Sequence, residues 1–149
     1  LILDNKFCGG NNMSEIDYQA VLPEGWNRAR GFSYGVVATG TRVLRIAGQI
    51  AATDGNKPVD TNLDFGGQWE RAMGNMIAVL QAAGGQPEHL VMMRAFVTDI
   101  DAFNAAGAAV GAAWGQHLGR HFPAMTLVEV SRLIDPNAMV EIEGEAVLP

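Results

Sequence analysis

From Leu63 to Ala83 the apolar residues Phe65, Trp69, Met73, Met76 and Leu80 recur at intervals of three and four, which lays one buried stripe along a helix. Gly84 and Gly85 follow and predict its end, because glycine readily takes the left-handed conformation that closes a helix. A second helix is predicted over 102–118, capped by Asp101, with Phe103, Ala106, Val110, Ala113 and Trp114 on its apolar face. Alanine and glycine dominate this second helix, so it can lie close against a sheet. Between the helices, His89 to Thr98 is short and rich in Val, Met and Phe, which predicts a strand.

The flanking segments read as strands too. Gly31 to Val37 and Arg42 to Ile50 are predicted to form an antiparallel hairpin around Thr39, Gly40 and Thr41. Residues 51–62 carry Asp54, Gly55, Asn56 and Pro58 and predict a loop. Ala124 to Arg132 and Ala138 to Val147 read as two strands around a turn at Asp135, Pro136 and Asn137. The order β-β-α-β-α-β-β predicts an α+β fold, a mixed sheet with two helices on one face. Its other face must then be solvated or covered by another subunit. Leu1 to Asn12 share no periodicity with the rest and precede Met13, so they read as a leader or expression remnant, leaving 13–149 as a single domain.

Composition narrows the class of function. A chain of 149 residues with 48% hydrophobic and 17% charged residues can bury about two thirds of its surface around one core. Gly, Asp, Arg or Gln interrupts every long apolar stretch, so no segment is expected to cross a bilayer. Ten basic against sixteen acidic residues give a net charge of -6, the wrong sign for gathering phosphates, and nucleic acid is not an expected partner. The single cysteine, Cys8, cannot form an internal disulfide, and no secretory signal pattern is evident, so the cytoplasm is the expected compartment.

Several short motifs fall in one order and spacing. They are Gly48-Gln49-Ile50, Gln68 with Asn75, Ala82-Ala83-Gly84, Phe96-Val97 with Asp99, Phe122-Pro123-Ala124, Val128-Glu129-Val130 and Glu141-Ile142-Glu143. Together they resemble the Rid/YjgF family, also labelled L-PSP endoribonuclease, from about Arg30 to Val147. The resemblance implies a chorismate-mutase-like homotrimer, with small-molecule pockets in clefts between subunits. Well-known members hydrolyse 2-imino or 2-enamino acids to 2-keto acids and ammonia. In those members an arginine follows the Phe-Pro-Ala motif and grips the substrate carboxylate. Here Met125 stands in that place, and a thioether offers no charge and only a weak acceptor.

Other pocket positions transfer unevenly. Glu141 falls where imine-hydrolysing members place the carboxylate that handles water, and Tyr34, fourteen residues before Gly48, matches a pocket tyrosine. Ala47 stands for a serine and Gly107 for an asparagine, so the implied pocket loses polar groups and gains room. Taken alone, Glu141, Glu143 and Glu145 alternate as a solvated strand face would, and Tyr34 reads as packing. Arg28, Arg30, Arg94 and Arg132 are candidates for a compensating cation, with Arg30 the most attractive because it lies four residues from Tyr34. His117 and His121 lack a third ligand at a familiar spacing, and no phosphate loop or nucleophile elbow is present, so neither metal nor cofactor is expected.

The expected function is therefore an enamine or imine hydrolase that does not act on the usual 2-imino acids. A metabolite-binding protein without turnover is the alternative. Endoribonuclease activity, suggested by the older family label, fits the acidic balance poorly.

Overall fold

The computed structural model describes residues 15–53 and 57–149; the leader expected at 1–12 lies outside them. Six strands, β1 (Asp17–Val21), β2 (Gly35–Thr39), β3 (Arg42–Gln49), β4 (Leu90–Val97), β5 (Ala124–Glu129) and β6 (Val140–Leu148), accompany three helices. These are α1 (Phe65–Ala82), α2 (Ile100–Ala105) and α3 (Gly107–His117). The main sheet has the order β3-β6-β4-β5 and is mixed: β6 runs antiparallel to both neighbours, whereas β4 and β5 are parallel. The α+β class and the mixed sheet agree with the sequence pattern.

Helix α1 forms where the apolar stripe predicts. Asp64 caps it by accepting a hydrogen bond from the Gly67 N–H at 2.8 Å, and Gly84 leaves it with φ +81°. Its stripe of Trp69, Met73, Met76 and Leu80 is fully buried against Leu90, Met93, Ala95, Val97, Val140, Ile142 and Ala146 of the sheet. Burying each large side chain contributes roughly 1.5–3 kcal/mol, which makes this layer the main source of stability. Among the described residues, no helix is long and apolar enough to cross a membrane.

Two elements differ from the pattern. The predicted hairpin does not form: β2 pairs with β1 in a separate two-stranded sheet, while β3 pairs with β6. At the intended turn, the Thr41 N–H donates to the Leu148 carbonyl at 2.9 Å, which draws the chain onto the end of β6. The second helix is also two helices. Asp99, not Asp101, caps α2 through the Ala102 N–H at 2.9 Å, and Glu129 accepts from the Ile100 N–H at 2.8 Å. Ala106, with ψ near 10°, then breaks the run before Gly107. The last two strands exist, but β4 separates them, so the Asp135–Asn137 turn joins non-adjacent strands.

Two side-chain amides on α1 fix the connections around it. Gln68, 2% exposed, donates to the Asn137 carbonyl at 3.0 Å and accepts from the Met139 N–H at 2.9 Å. Asn75 donates to the carbonyls of Ile50 and Ala52, both at 2.9 Å. These bonds satisfy backbone groups in the 50–52 and 137–139 segments. We predict that Gln68→Leu, similar in size but unable to bond, destabilises the protein by about 2 kcal/mol or more. Urea unfolding followed by circular dichroism measures it, and an unchanged midpoint contradicts the role given to this amide.

Candidate functional site

The segment before β2 is pinned to the start of β5. Ser33 donates its N–H to the Pro123 carbonyl at 3.0 Å and its hydroxyl to the Phe122 carbonyl at 2.6 Å. Tyr18 of β1 donates to the same Phe122 carbonyl at 3.3 Å. These bonds hold Arg30, Gly31 and Phe32 opposite the break between α2 and α3. The space between them is a cleft of about 810 Å³. Phe103, Val110 and Trp114 from the helices and Met125 and Leu127 from β5 give it largely apolar walls.

Three of the residues singled out in the sequence meet in this cleft: Arg30, Gly107 and Met125. Arg30 is exposed and, among the described residues, has no carboxylate partner. Of the other candidate cations, Arg94 is engaged by Glu143 at 2.7 Å, and neither Arg28 nor Arg132 lines the cleft.

The remaining three, Tyr34, Ala47 and Glu141, do not line the cleft. Met125 pairs in register with Met93 and packs on the helix side of the sheet. Glu141 pairs with Phe96 and lies on the opposite, helix-free face with Glu143 and Glu145. Glu145 meets Arg45 at 3.3 Å and Glu143 meets Arg94, but Glu141 has no hydrogen-bond or ion-pair partner among the described residues. Its side chain lies directly over Gly48, where a Cβ would collide with the carboxylate. Ala47 is exposed immediately before that glycine. Tyr34 is 44% exposed and packs edge-on against Trp26 at 5.0 Å and Phe32 at 5.4 Å. It touches the cleft only through Phe32. Within one chain, the cleft and the Glu141 carboxylate thus lie on opposite faces of one sheet.

Sequence patterning assigned Trp69, Phe103, Val110 and Trp114 to the buried faces of helices, and missed that all four also wall the cleft. A signal was available in Gly107, Gly111 and Gly115, spaced four apart along one side of α3.

Nearby polar groups are committed to structure. His121 Nε2 bonds the Leu90 carbonyl at 2.7 Å, which requires the proton on that nitrogen, and the ring lies 4.9 Å from that of Tyr18. Burial pushes the His121 pKa below its ordinary value, opposed by the bond to Leu90. Burial raises that of Tyr18, opposed by a hydrogen bond with Ser33. His117 Nε2 bonds Glu70 Oε1 at 2.9 Å, tying α3 to α1. No group of three His, Cys, Asp or Glu that could hold a metal ion occurs among the described residues.

Comparison with known proteins adds independent findings. The endoribonuclease L-PSP family model matches residues 27–148. A 2-iminobutanoate/2-iminopropanoate deaminase of Salmonella typhimurium is 32% identical over 105 residues, covering 67% of this chain and 80% of that protein. A RutC family protein of Synechocystis is 36% identical over 107 residues, covering 71% and 78%. Among solved structures, a Rid-family protein of unknown function from Yersinia pestis superposes with a TM-score of 0.74 at 30% identity, covering 88% of this chain and 98% of that one.

The buried histidine gives stability a pH dependence. A folded pKa below the unfolded value of about 6.5 means that, just below that pH, the unfolded chain binds more protons than the folded one. The stabilisation is therefore complete above about pH 6.5 and declines as pH falls toward the folded value. We predict a melting temperature that drops between pH 7.5 and 5.5, and a shallower drop for His121→Gln, which keeps a donor for Leu90. Equal slopes in scanning calorimetry rule out His121 as the source.

Proposed function

Because the chain belongs to the endoribonuclease L-PSP family, the group also known as Rid/YjgF, we propose that it hydrolyses an enamine or imine in a pocket formed between copies of itself. One observation carries this reading. The cleft holding Arg30, Gly107 and Met125 and the free carboxylate of Glu141 lie on opposite faces of the same sheet. A single copy cannot bring them to one substrate, so the Glu141 that serves a cleft must come from another copy. Trp26, Phe32, Tyr34 and Phe122, all partly exposed around the cleft mouth, supply an apolar surface suited to that association. A homotrimer closes such a head-to-tail arrangement.

In this pocket the cleft holds the imine and Glu141 handles the water. The carboxylate takes one proton from water as its oxygen bonds to the C=N carbon and passes that proton to the nitrogen. The hydroxyl proton follows by the same route as the C–N bond breaks and ammonia leaves. A carbonyl product remains. Met125 lacks the charge that would hold a carboxylate deep in the cleft, which directs the enzyme away from the usual 2-imino acids. Any anionic group of the substrate falls to Arg30 at the rim.

A second reading, metabolite binding without turnover, is supported by the scarcity of polar groups in the cleft, where Met125 and Gly107 line the walls. RNA cleavage is supported least, given the net charge of -6.

The test is ammonia release from freshly generated imines. Glu141→Gln is expected to lower it about 100-fold or more, the usual worth of a positioned acid or base. Met125→Arg is expected to raise the rate on short 2-imino acids relative to bulkier imines. Mixing Glu141→Gln with a cleft-filling Gly107→Phe variant should restore part of the activity, since mixed assemblies contain pockets with an open cleft and an intact glutamate. Release no greater than the blank with every imine favours binding alone. Activity in a stable monomer rules out the shared pocket.

A further inference from the structure

Trp69 is fully buried, and its Nε1–H is the sole buried side-chain polar atom without a hydrogen-bond partner among the described residues. Buried indole N–H groups usually find an acceptor. The Trp114 indole does so, donating to the His121 carbonyl at 3.1 Å, and Trp26 is 58% exposed to solvent. Trp69 and Trp114 both line the cleft, but only the Trp69 N–H lacks an acceptor, and its ring lies 5.4 Å from that of Phe103.

The opposite wall shows a second anomaly. Gly107, Gly111 and Gly115 line the cleft, and a Cβ placed on any of them would meet nothing within 4 Å. Gly66 of α1 has a packing reason to be glycine, since a Cβ there would come within 2.6 Å of the Ala109 Cβ. The three cleft glycines have none, yet each weakens the helix relative to alanine. What they preserve is empty volume. The cleft, at about 810 Å³, lies in the range of small-molecule sites, roughly 300–1,000 Å³.

From this orphaned donor beside a glycine-walled cavity, we infer that the cleft takes an elongated, mostly apolar acid whose acceptor atom pairs with Trp69 Nε1–H. The body, an aryl or branched alkyl group, lies along the α3 glycines between Phe103 and Met125. The anionic end meets Arg30. The inference rests on the cleft being the substrate site proposed above, and it names the class: bulky apolar imines and their carbonyl products, in preference to short ones.

The test follows the indole N–H signals of uniformly ¹⁵N-labelled protein. There are three tryptophans, so Trp69→Phe and Trp114→Phe assign the three resonances. Phenylpyruvate serves as the bulky probe and pyruvate as the short one. Saturable movement of the Trp69 resonance with phenylpyruvate, and none with pyruvate at equal concentration, is the expected result. Gly111→Leu, which fills the cleft without a clash, should keep the melting temperature within a few degrees and weaken phenylpyruvate binding at least tenfold. Arg30→Gln should weaken it less. An unmoved Trp69 resonance at millimolar phenylpyruvate, or full-strength binding to folded Gly111→Leu, overturns the inference. The two proposals fail separately. Turnover of short imines with an unresponsive Trp69 leaves the hydrolase and removes this ligand class. A responsive Trp69 without ammonia release from any imine does the reverse.

Discussion

Strand β6 is hydrogen-bonded along both edges, to β3 on one side and β4 on the other, and this fixes which way each of its side chains points. Val140, Ile142, Gly144, Ala146 and Leu148 must face α1, so Glu141, Glu143 and Glu145 must face away from it. A slip of one residue would bury three carboxylates and expose the core, a cost no loop could absorb. Through β4 the same constraint reaches β5 and puts Met125 on the helix side. The separation of Glu141 from the cleft therefore follows from the packing of the whole domain.

Several motif residues that mark the family by sequence are explained here by backbone chemistry. Gln68 and Asn75 satisfy loop amides and carbonyls, Asp99 caps α2, and Glu129 accepts from the first N–H of that helix. Gly48 leaves room for the Glu141 side chain. These positions maintain a frame, while Met125, Ala47 and Gly107 sit where the frame meets solvent or cleft. Such a division lets one architecture carry different chemistry.

Much of the frame was legible in the sequence. The period of α1, its glycine stop, and strands β3, β4 and β6 are local patterns that tertiary contacts reinforce. The pairing of β2 was not legible, because β1 reads Asp-Tyr-Gln-Ala-Val with little alternation and β3 finds a better partner 100 residues later in β6. The break at Ala106 was hidden too, since alanine is a strong helix former and gives no local warning. Of the candidate site, Arg30, Gly107 and Met125 line one cleft. Tyr34, Ala47 and Glu141 lie outside it within one chain, and their faces were not legible because register depends on strand pairing that no short motif encodes.

The glycine stripe of α3 has a further consequence. Side chains at 107, 111 and 115 would meet no neighbour in the fold, so substitution there narrows the cavity directly, and replacing glycine by alanine also strengthens the helix. The scaffold can thus exchange open volume for helix stability one methyl group at a time.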